Sequence, residues 1–148
     1  MLDLRPAQAA QPASRYHVSL AIDDAEIREA QRLRYKVFAK EMGARLSTIL
    51  AGHDIDLYDP YCDHLLVRDL TSGEVVGTYR ILSPESAQRV GSYYSEQEFD
   101  LSRLDNLRPR MAELGRSCVH PEHRSGAVIA RLWMGLADYM TRHGYDTI

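Results

Sequence analysis

The sequence predicts an α/β domain, a mixed central sheet flanked by helices. Three observations predict it. Two segments carry apolar residues at helical spacing, Ile27–Ala30–Leu33–Val37 and Ile129–Leu132–Trp133–Leu136–Met140. Two short apolar runs, residues 64–70 and 75–82, read as strands separated by the turn sequence TSGE. Helix-type and strand-type segments are interleaved without an internal repeat or a linker, as in a single layered α/β unit.

The elements follow in order. Residues 16–22 (YHVSLAI) alternate well enough for an opening strand. Asp23 and Asp24 supply capping chemistry for a helix running to about Met42, and Gly43 is its stop signal. Residues 44–62 show no helical period and contain Gly52, Pro60 and several Asp, so they read as a long loop of functional type. After the hairpin, Pro84 opens a short helix near Glu85–Arg89, and residues 92–109 read as irregular. Met111–Val119 is a further strand, Gly126 precedes a helix over 127–142, Gly144 caps it, and YDTI starts another strand.

Composition narrows the function classes. A chain of 148 residues is about one domain's worth, and its net charge of −3 gives no reason to expect nucleic acid as a partner. Cys62 and Cys118 form neither a CxxC pair nor a disulfide framework, so reduced thiols and a cytoplasmic setting are expected. His53, His64, His120 and His123 lack a zinc spacing, and no metal is expected. Residues 1–14 are rich in Ala, Gln and Pro and are expected to be a flexible tail, with the domain over 15–148. No stretch reaches the ~18 apolar residues of a membrane span, so any contact with the inner membrane is expected to be peripheral.

The segment VHPEHRSGAV (119–128) leads from a strand through Pro121 and Gly126 straight into a helix. Helix starts present unpaired N–H groups and a positive dipole end, which suits a phosphate. Val119, Arg124, Ser125, Gly126 and Ala127 are therefore the candidate donor-binding residues. The turn resembles the acyl-donor signature of GNAT (acyl-CoA N-acyltransferase) enzymes, except that Val128 is bulkier than the small residue usual there.

Its neighbours sharpen the resemblance. LRYKVFAKEMGA (33–44), HDIDLYDPYCDHLLV (53–67), VVGTYRIL (75–82), YYSEQEFDLSRL (93–104) and ELGRSCVHPEHR (113–124) resemble the ornithine N-acyltransferases of bacterial ornithine-lipid synthesis, also called hemolysin-like GNAT proteins. A fainter version of the pattern is similar to the acyl-homoserine-lactone synthases. The resemblance implies a GNAT fold, truncated at the C-terminus because later strands of that fold are missing. It also implies transfer of a 3-hydroxyacyl group from acyl carrier protein to the α-amine of ornithine, giving lyso-ornithine lipid. No cofactor is expected to be tightly bound. The donor is the carrier's phosphopantetheine thioester, with acyl-CoA as the alternative. Two other readings stay open. A homoserine-lactone synthase would show a Trp between Phe38 and the acidic pair, and Ala39–Ile55 has none. A non-catalytic, truncated fragment that binds acyl carrier is the other.

The resemblance also singles out side chains. Arg34 and Phe38, four apart on the first helix, match residues that line the active site of the homoserine-lactone synthases. Asp56 and Asp59 match acidic residues that face the amino-acid substrate, and carboxylates suit an ammonium group. Arg80 offers a fork of donors for the acceptor's carboxylate. Glu113 is the candidate base that takes a proton from the ammonium, with Arg116 beside it. In a regular strand these two would face opposite ways, so a bulge near Gly115 is expected, as GNAT folds carry one there. Each residue has a structural alternative: a surface Arg beside a core Phe, turn-forming Asp, and a salt-bridged strand Arg. Cys118 reads as a buried small hydrophobe. Arg28, Arg32, Lys36 and Lys40 form a basic row on the first helix, either a solvated face or a docking site for an acidic carrier.

Overall fold

The computed structural model describes residues 14–148, so nearly all of the expected tail lies outside the described residues. Four strands, β1 (Tyr16–Leu20), β2 (Asp63–Asp69), β3 (Val75–Leu82) and β4 (Glu113–Val119), form one sheet in the order β1-β2-β3-β4. Every neighbouring pair in it is antiparallel. A parallel element enters where Met111 bridges Thr147, so the expected mixed character rests on that one pairing.

The helices cover both faces. α1 (Asp24–Tyr35) starts where Asp23 accepts the backbone N–H of Glu26. α2 (Pro84–Val90) is capped by Ser83 and ended by Gly91 in the left-handed region. α3 (Ala127–His143) ends at Gly144, also left-handed. α1 lays Ala30 and Leu33 against Leu66, Val75 and Cys118 on one face of the sheet. α3 lays Val128, Leu132, Leu136 and Tyr139 against Leu65, Val67, Val76, Tyr79 and Ile81 on the other. Leu65, Leu66 and Val67 alternate between these faces, as the two-residue period of a strand requires. β3 is buried along its whole length. A third cluster, with Tyr58, Leu82, Ala87, Tyr93 and Met111, fills the end of the sheet beside α2.

Three local features depart from the sequence expectations. The first helix loses α register at Tyr35 and continues as a π-helical turn, Lys36–Glu41, in which Met42 N–H reaches back to Val37 O. On α3 the buried stripe takes in Val128 and Tyr139, while Trp133 is half exposed and meets Tyr79 edge-on at 6.2 Å. Residues 92–109 are not without order; they form short 3-10 turns over Tyr94–Gln97, Ser102–Leu104 and Arg108–Arg110. Among the described residues no helix is long and apolar enough to cross a membrane.

Candidate active site

β4 carries the expected bulge. Thr78 pairs with Cys118 and Arg80 with Gly115, so Arg116 and Ser117 together oppose Tyr79. Arg116 sits at φ 51, and it is the non-glycine residue with positive φ among those described. Left-handed backbone is costly for a residue with a side chain, and such strain collects at functional sites. The bulge leaves one residue without a ladder partner and turns the Arg116 side chain toward the long loop.

A cavity of about 250 Å³ lies at the bulge, walled by Tyr58, Arg80, Tyr94, Glu113, Gly115 and Arg116, with Cys62 beside them. Arg116 donates from Nε to Asp54 Oδ2 and from Nη2 to Asp56 Oδ2, both at 3.1 Å. Arg80 donates from Nη1 to Asp56 Oδ1 at 2.6 Å and to Asp59 Oδ1 at 2.8 Å. Among the described residues its Nε and Nη2 make no hydrogen bond, and that edge faces Gly115. A Cβ on Gly115 would sit 3.9 Å from both nitrogens. The missing side chain thus bares a planar pair of donors to the cavity. The Tyr94 ring lies under both guanidinium groups, 5.7 Å from Arg80 and 5.3 Å from Arg116.

Arg34 and Asp59 lie deeper than the sequence suggested. Arg34 is fully buried and donates from Nη2 to Asp59 Oδ2 and to the Asp54 carbonyl oxygen, both at 2.5 Å. Asp59 also accepts from Gln31 and Arg80. Neither residue can meet a substrate ion directly, because each is closed off by partners of opposite charge. Their place is to fix the loop: the Arg34 fork ties Asp54 and Asp59 to α1, and Asp56 lies between them. Phe38 is half-buried against the α1-side core, and it does not line the cavity. Three arginines (34, 80, 116) face three aspartates (54, 56, 59), so the charges of the cluster balance.

Electrostatics follow from this packing. Burial pushes the Asp56 carboxyl up, but Arg80 and Arg116 reverse this and hold it below the ordinary carboxylate value. Burial works against the Arg80 charge, yet Asp56 and Asp59 raise its pKa overall. His64 is fully buried, and burial lowers its pKa, with Arg34 acting in the same direction. A neutral His64 can donate from Nε2 to the Asp59 carbonyl and accept Arg34 on Nδ1. Burial pushes both thiols, Cys62 and Cys118, up to about 12, which disfavours the thiolate of a covalent acyl-enzyme.

Glu113 does not pair with Arg116, although both line the cavity. Its carboxylate accepts the backbone N–H groups of Tyr94 (2.6 Å) and Ser95 (2.9 Å) and the Ser95 hydroxyl (2.5 Å). These bonds fix the carboxylate at the rim: Oε1 takes both Ser95 donors and Oε2 takes Tyr94, which leaves one acceptor site, on Oε2.

The donor turn occupies the far end of the same strand. Glu113 and Val119 are the two ends of β4, roughly 20 Å apart at strand rise. Ser125, Gly126 and Ala127 are exposed, Gly126 is left-handed at φ 95, and α3 starts without a side-chain cap. Arg124 is not free: its fork holds Glu41 at 2.6 and 2.8 Å, and its Nε donates to the Val119 carbonyl. Val128 points inward, where its Cγ1 lies 2.5 Å from where a Gly77 Cβ would stand. The bulky residue is therefore accommodated by a glycine in β3 and does not obstruct the turn.

Sequence reasoning missed Tyr94, Ser95 and Tyr58 as cavity walls, and Asp54 as a partner of two arginines. Tyr94 and Ser95 lie inside one of the matching segments, YYSEQEFDLSRL, which was the only available signal.

Comparison with known proteins agrees with this architecture. The chain is 44% identical over 149 residues to an L-ornithine N(alpha)-acyltransferase of Rhodobacter capsulatus, covering 95% of this chain and 56% of that protein. A protein of the same name from Brucella abortus is 45% identical over 140 residues, covering 88% and 50%. The chain thus spans about half the length of the curated relatives it matches. Among solved structures, the AHL synthase LasI superimposes with a TM-score of 0.64 at 20% identity, covering 88% of this chain and 68% of that one. The CoA-dependent acyl-homoserine lactone synthase BjaI gives 0.64 at 22% identity, covering 87% and 62%. These two show a shared fold. The acetyltransferase (GNAT) domain family matches residues 33–134, well over half of the sequence, and the chain belongs to that family.

Proposed function

We propose that the protein is an N-acyltransferase that moves a 3-hydroxyacyl group from acyl carrier protein to the α-amine of ornithine, giving lyso-ornithine lipid. The name shared by its curated relatives supports the acceptor and the bond formed. The observation that carries the reading is the bulge in β4. It sets a cavity with a bared Arg80 edge and a Glu113 carboxylate at one end of a strand whose other end opens onto an uncapped helix start.

In this reading the phosphate of the donor rests on the N–H groups at Ala127–Ile129, and the pantetheine runs along β4 toward the bulge. The acceptor's carboxylate binds the Nε/Nη2 edge of Arg80, as a planar fork suits a carboxylate. Asp56, the most exposed aspartate of the cluster, is the candidate partner for the distal ammonium. Glu113, directly or through water, takes a proton from the α-ammonium. The free amine attacks the thioester carbon, the C–N bond forms, and the C–S bond breaks as the nitrogen gives up its second proton, which the departing thiolate takes to leave as the thiol. The backbone N–H groups at the Arg116–Ser117 bulge are the candidate donors to the developing oxyanion.

The test is incubation of the protein with 3-hydroxyacyl carrier protein and a panel of amino acids, followed by mass spectrometry of the products. An N-acyl-ornithine is expected. No N-acyl product with any amine, from protein shown to be folded, rejects the enzyme reading; product with acyl-CoA alone rejects the carrier as donor.

A further inference from the structure

The cavity at the bulge has a larger neighbour. A second cavity of about 500 Å³ lies beyond Glu113, with Leu101, Leu104, Met111, Leu114 and Ile148 among its walls. That volume is in the range of small-molecule sites. Ser95, Glu113 and Leu114 line both cavities, so the two adjoin at these residues.

β4 sets out its features in the order of the parts of a thioester donor. The uncapped start of α3 lies past Val119, the bulge is at Arg116–Ser117, and Met111, Glu113 and Leu114 border the apolar cavity. A donor with its phosphate at the turn and its thioester at the bulge sends its acyl chain on into the apolar space. This placement rests on the proposed transfer reaction.

Ser95 stands where the chain leaves the bulge. Its hydroxyl donates to Glu113 Oε1 at 2.5 Å, and its backbone N–H donates to the same oxygen at 2.9 Å. A serine hydroxyl has one proton and two acceptor lone pairs. The carboxylate takes the proton, and among the described residues nothing donates to the oxygen. Ser95 can therefore meet the chain only as an acceptor. Its bond to a carboxylate also strengthens that acceptor, because linked hydrogen bonds polarise one another. An open acceptor beside the thioester calls for a donor on the nearby chain. C3 is two bonds from the thioester carbon; a 3-hydroxyl there carries an O–H, whereas a 3-oxo group or a methylene carries no such donor.

We infer that Ser95 selects the acyl donor by accepting a hydrogen bond from the hydroxyl on C3, while the apolar cavity holds the rest of the chain. The Ser95–Glu113 bond then has two effects. It turns the serine lone pairs away from the carboxylate, and it leaves Oε2 as the Glu113 oxygen open to the acceptor's ammonium.

The test compares kcat/KM for ornithine acylation from three carrier-bound donors of equal chain length: 3-hydroxyacyl, 3-oxoacyl and unsubstituted. A preference of about ten-fold for the 3-hydroxyacyl donor is expected, the effect of one hydrogen bond made or left unmade. Ser95→Ala should abolish most of that preference, and Ser95→Thr, which keeps the hydroxyl, should retain it. Equal losses with all three donors in Ser95→Ala would show a residue that only holds Glu113, and would overturn the inference. Preference lost in both variants would assign it to packing around the serine and overturn the role of the hydroxyl. Equal rates with the three donors in the parent overturn the inference and leave the transfer reaction standing. No product with any donor, from folded protein, rejects the transfer reaction and this inference with it.

Discussion

Arg34 and Asp59 form an ion pair with both side chains out of solvent, 2.5 Å from Nη2 to Oδ2, and it joins α1 to the long loop. Removing one partner of such a pair leaves a buried charge uncompensated, a loss of about 3–5 kcal/mol. Asp59→Asn should therefore lower the urea midpoint of unfolding sharply while the m-value stays constant. Because Asp59 also holds Arg80, the same change should loosen the cavity. A variant as stable as the parent would show that the loop is held by something other than this cluster.

Gly77 and Val128 pack so closely that a methyl group on Gly77 would stand 2.5 Å from Val128 Cγ1. Gly77→Ala should cost roughly 1–3 kcal/mol by overpacking. The double variant with Val128→Ala should recover much of that loss, since the clash is between these two groups. Thermal unfolding of the three variants in a double-mutant cycle measures the coupling; additive losses would mean that the added methyl clashes with other neighbours, such as Leu132.

Much of this architecture was legible because it depends on local chemistry. Asp23 and Gly144 bracket helices through capping geometry that sequence states directly. The bulge was expected near Gly115 because Glu113 and Arg116 would face opposite ways in a flat strand and because the GNAT resemblance implies a bulge there. Arg34 was not legible in the same way. Its burial depends on two aspartates about twenty residues away in a loop without periodicity, and an arginine on a helix ordinarily reads as surface. The π-turn escaped for another reason: an i→i+5 register over six residues leaves almost no mark on a 3.6-residue pattern. Trp133 falls at helical spacing with Ile129, Leu132, Leu136 and Met140 and so reads as core-facing, whereas the buried stripe of α3 passes through Val128, Leu132, Leu136 and Tyr139.

His64 makes stability sensitive to acid. Its folded pKa lies below its ordinary value of 6.5, so the unfolded chain binds more protons just below that pH. Stability from this residue is present above about 6.5 and is lost as pH falls. The thermal midpoint should drop between pH 7 and 5.5. His64→Asn, which cannot titrate, should show a shallower drop over the same range. Parallel slopes for the two proteins would assign the acid sensitivity to other groups.

Glu113 is proposed to take the proton, yet it also anchors Tyr94 and Ser95 through three hydrogen bonds. Glu113→Gln keeps an oxygen acceptor and removes the base. Turnover should fall by about 10²-fold or more, the scale of general base catalysis, with little change in donor KM. Ser95→Ala removes only the hydroxyl bond and should cost far less. A Glu113→Gln enzyme with an unchanged kcat would dismiss Glu113 as the base.

Glu41 holds the fork of Arg124 at the mouth of the donor turn, in a pair open to solvent. Exposed pairs of this kind are weak, so a donor phosphate can displace the carboxylate. Arg124 lowers the Glu41 pKa, chiefly by hydrogen bonding, so the carboxylate remains charged and competes throughout the neutral range. Glu41→Gln should then release Arg124 and lower the donor KM a few-fold, with kcat nearly unchanged. Raising the salt concentration should narrow the gap between parent and variant, because the competing interaction is screened. A variant that binds donor more weakly would assign Glu41 the opposite task, holding Arg124 in its phosphate-binding pose.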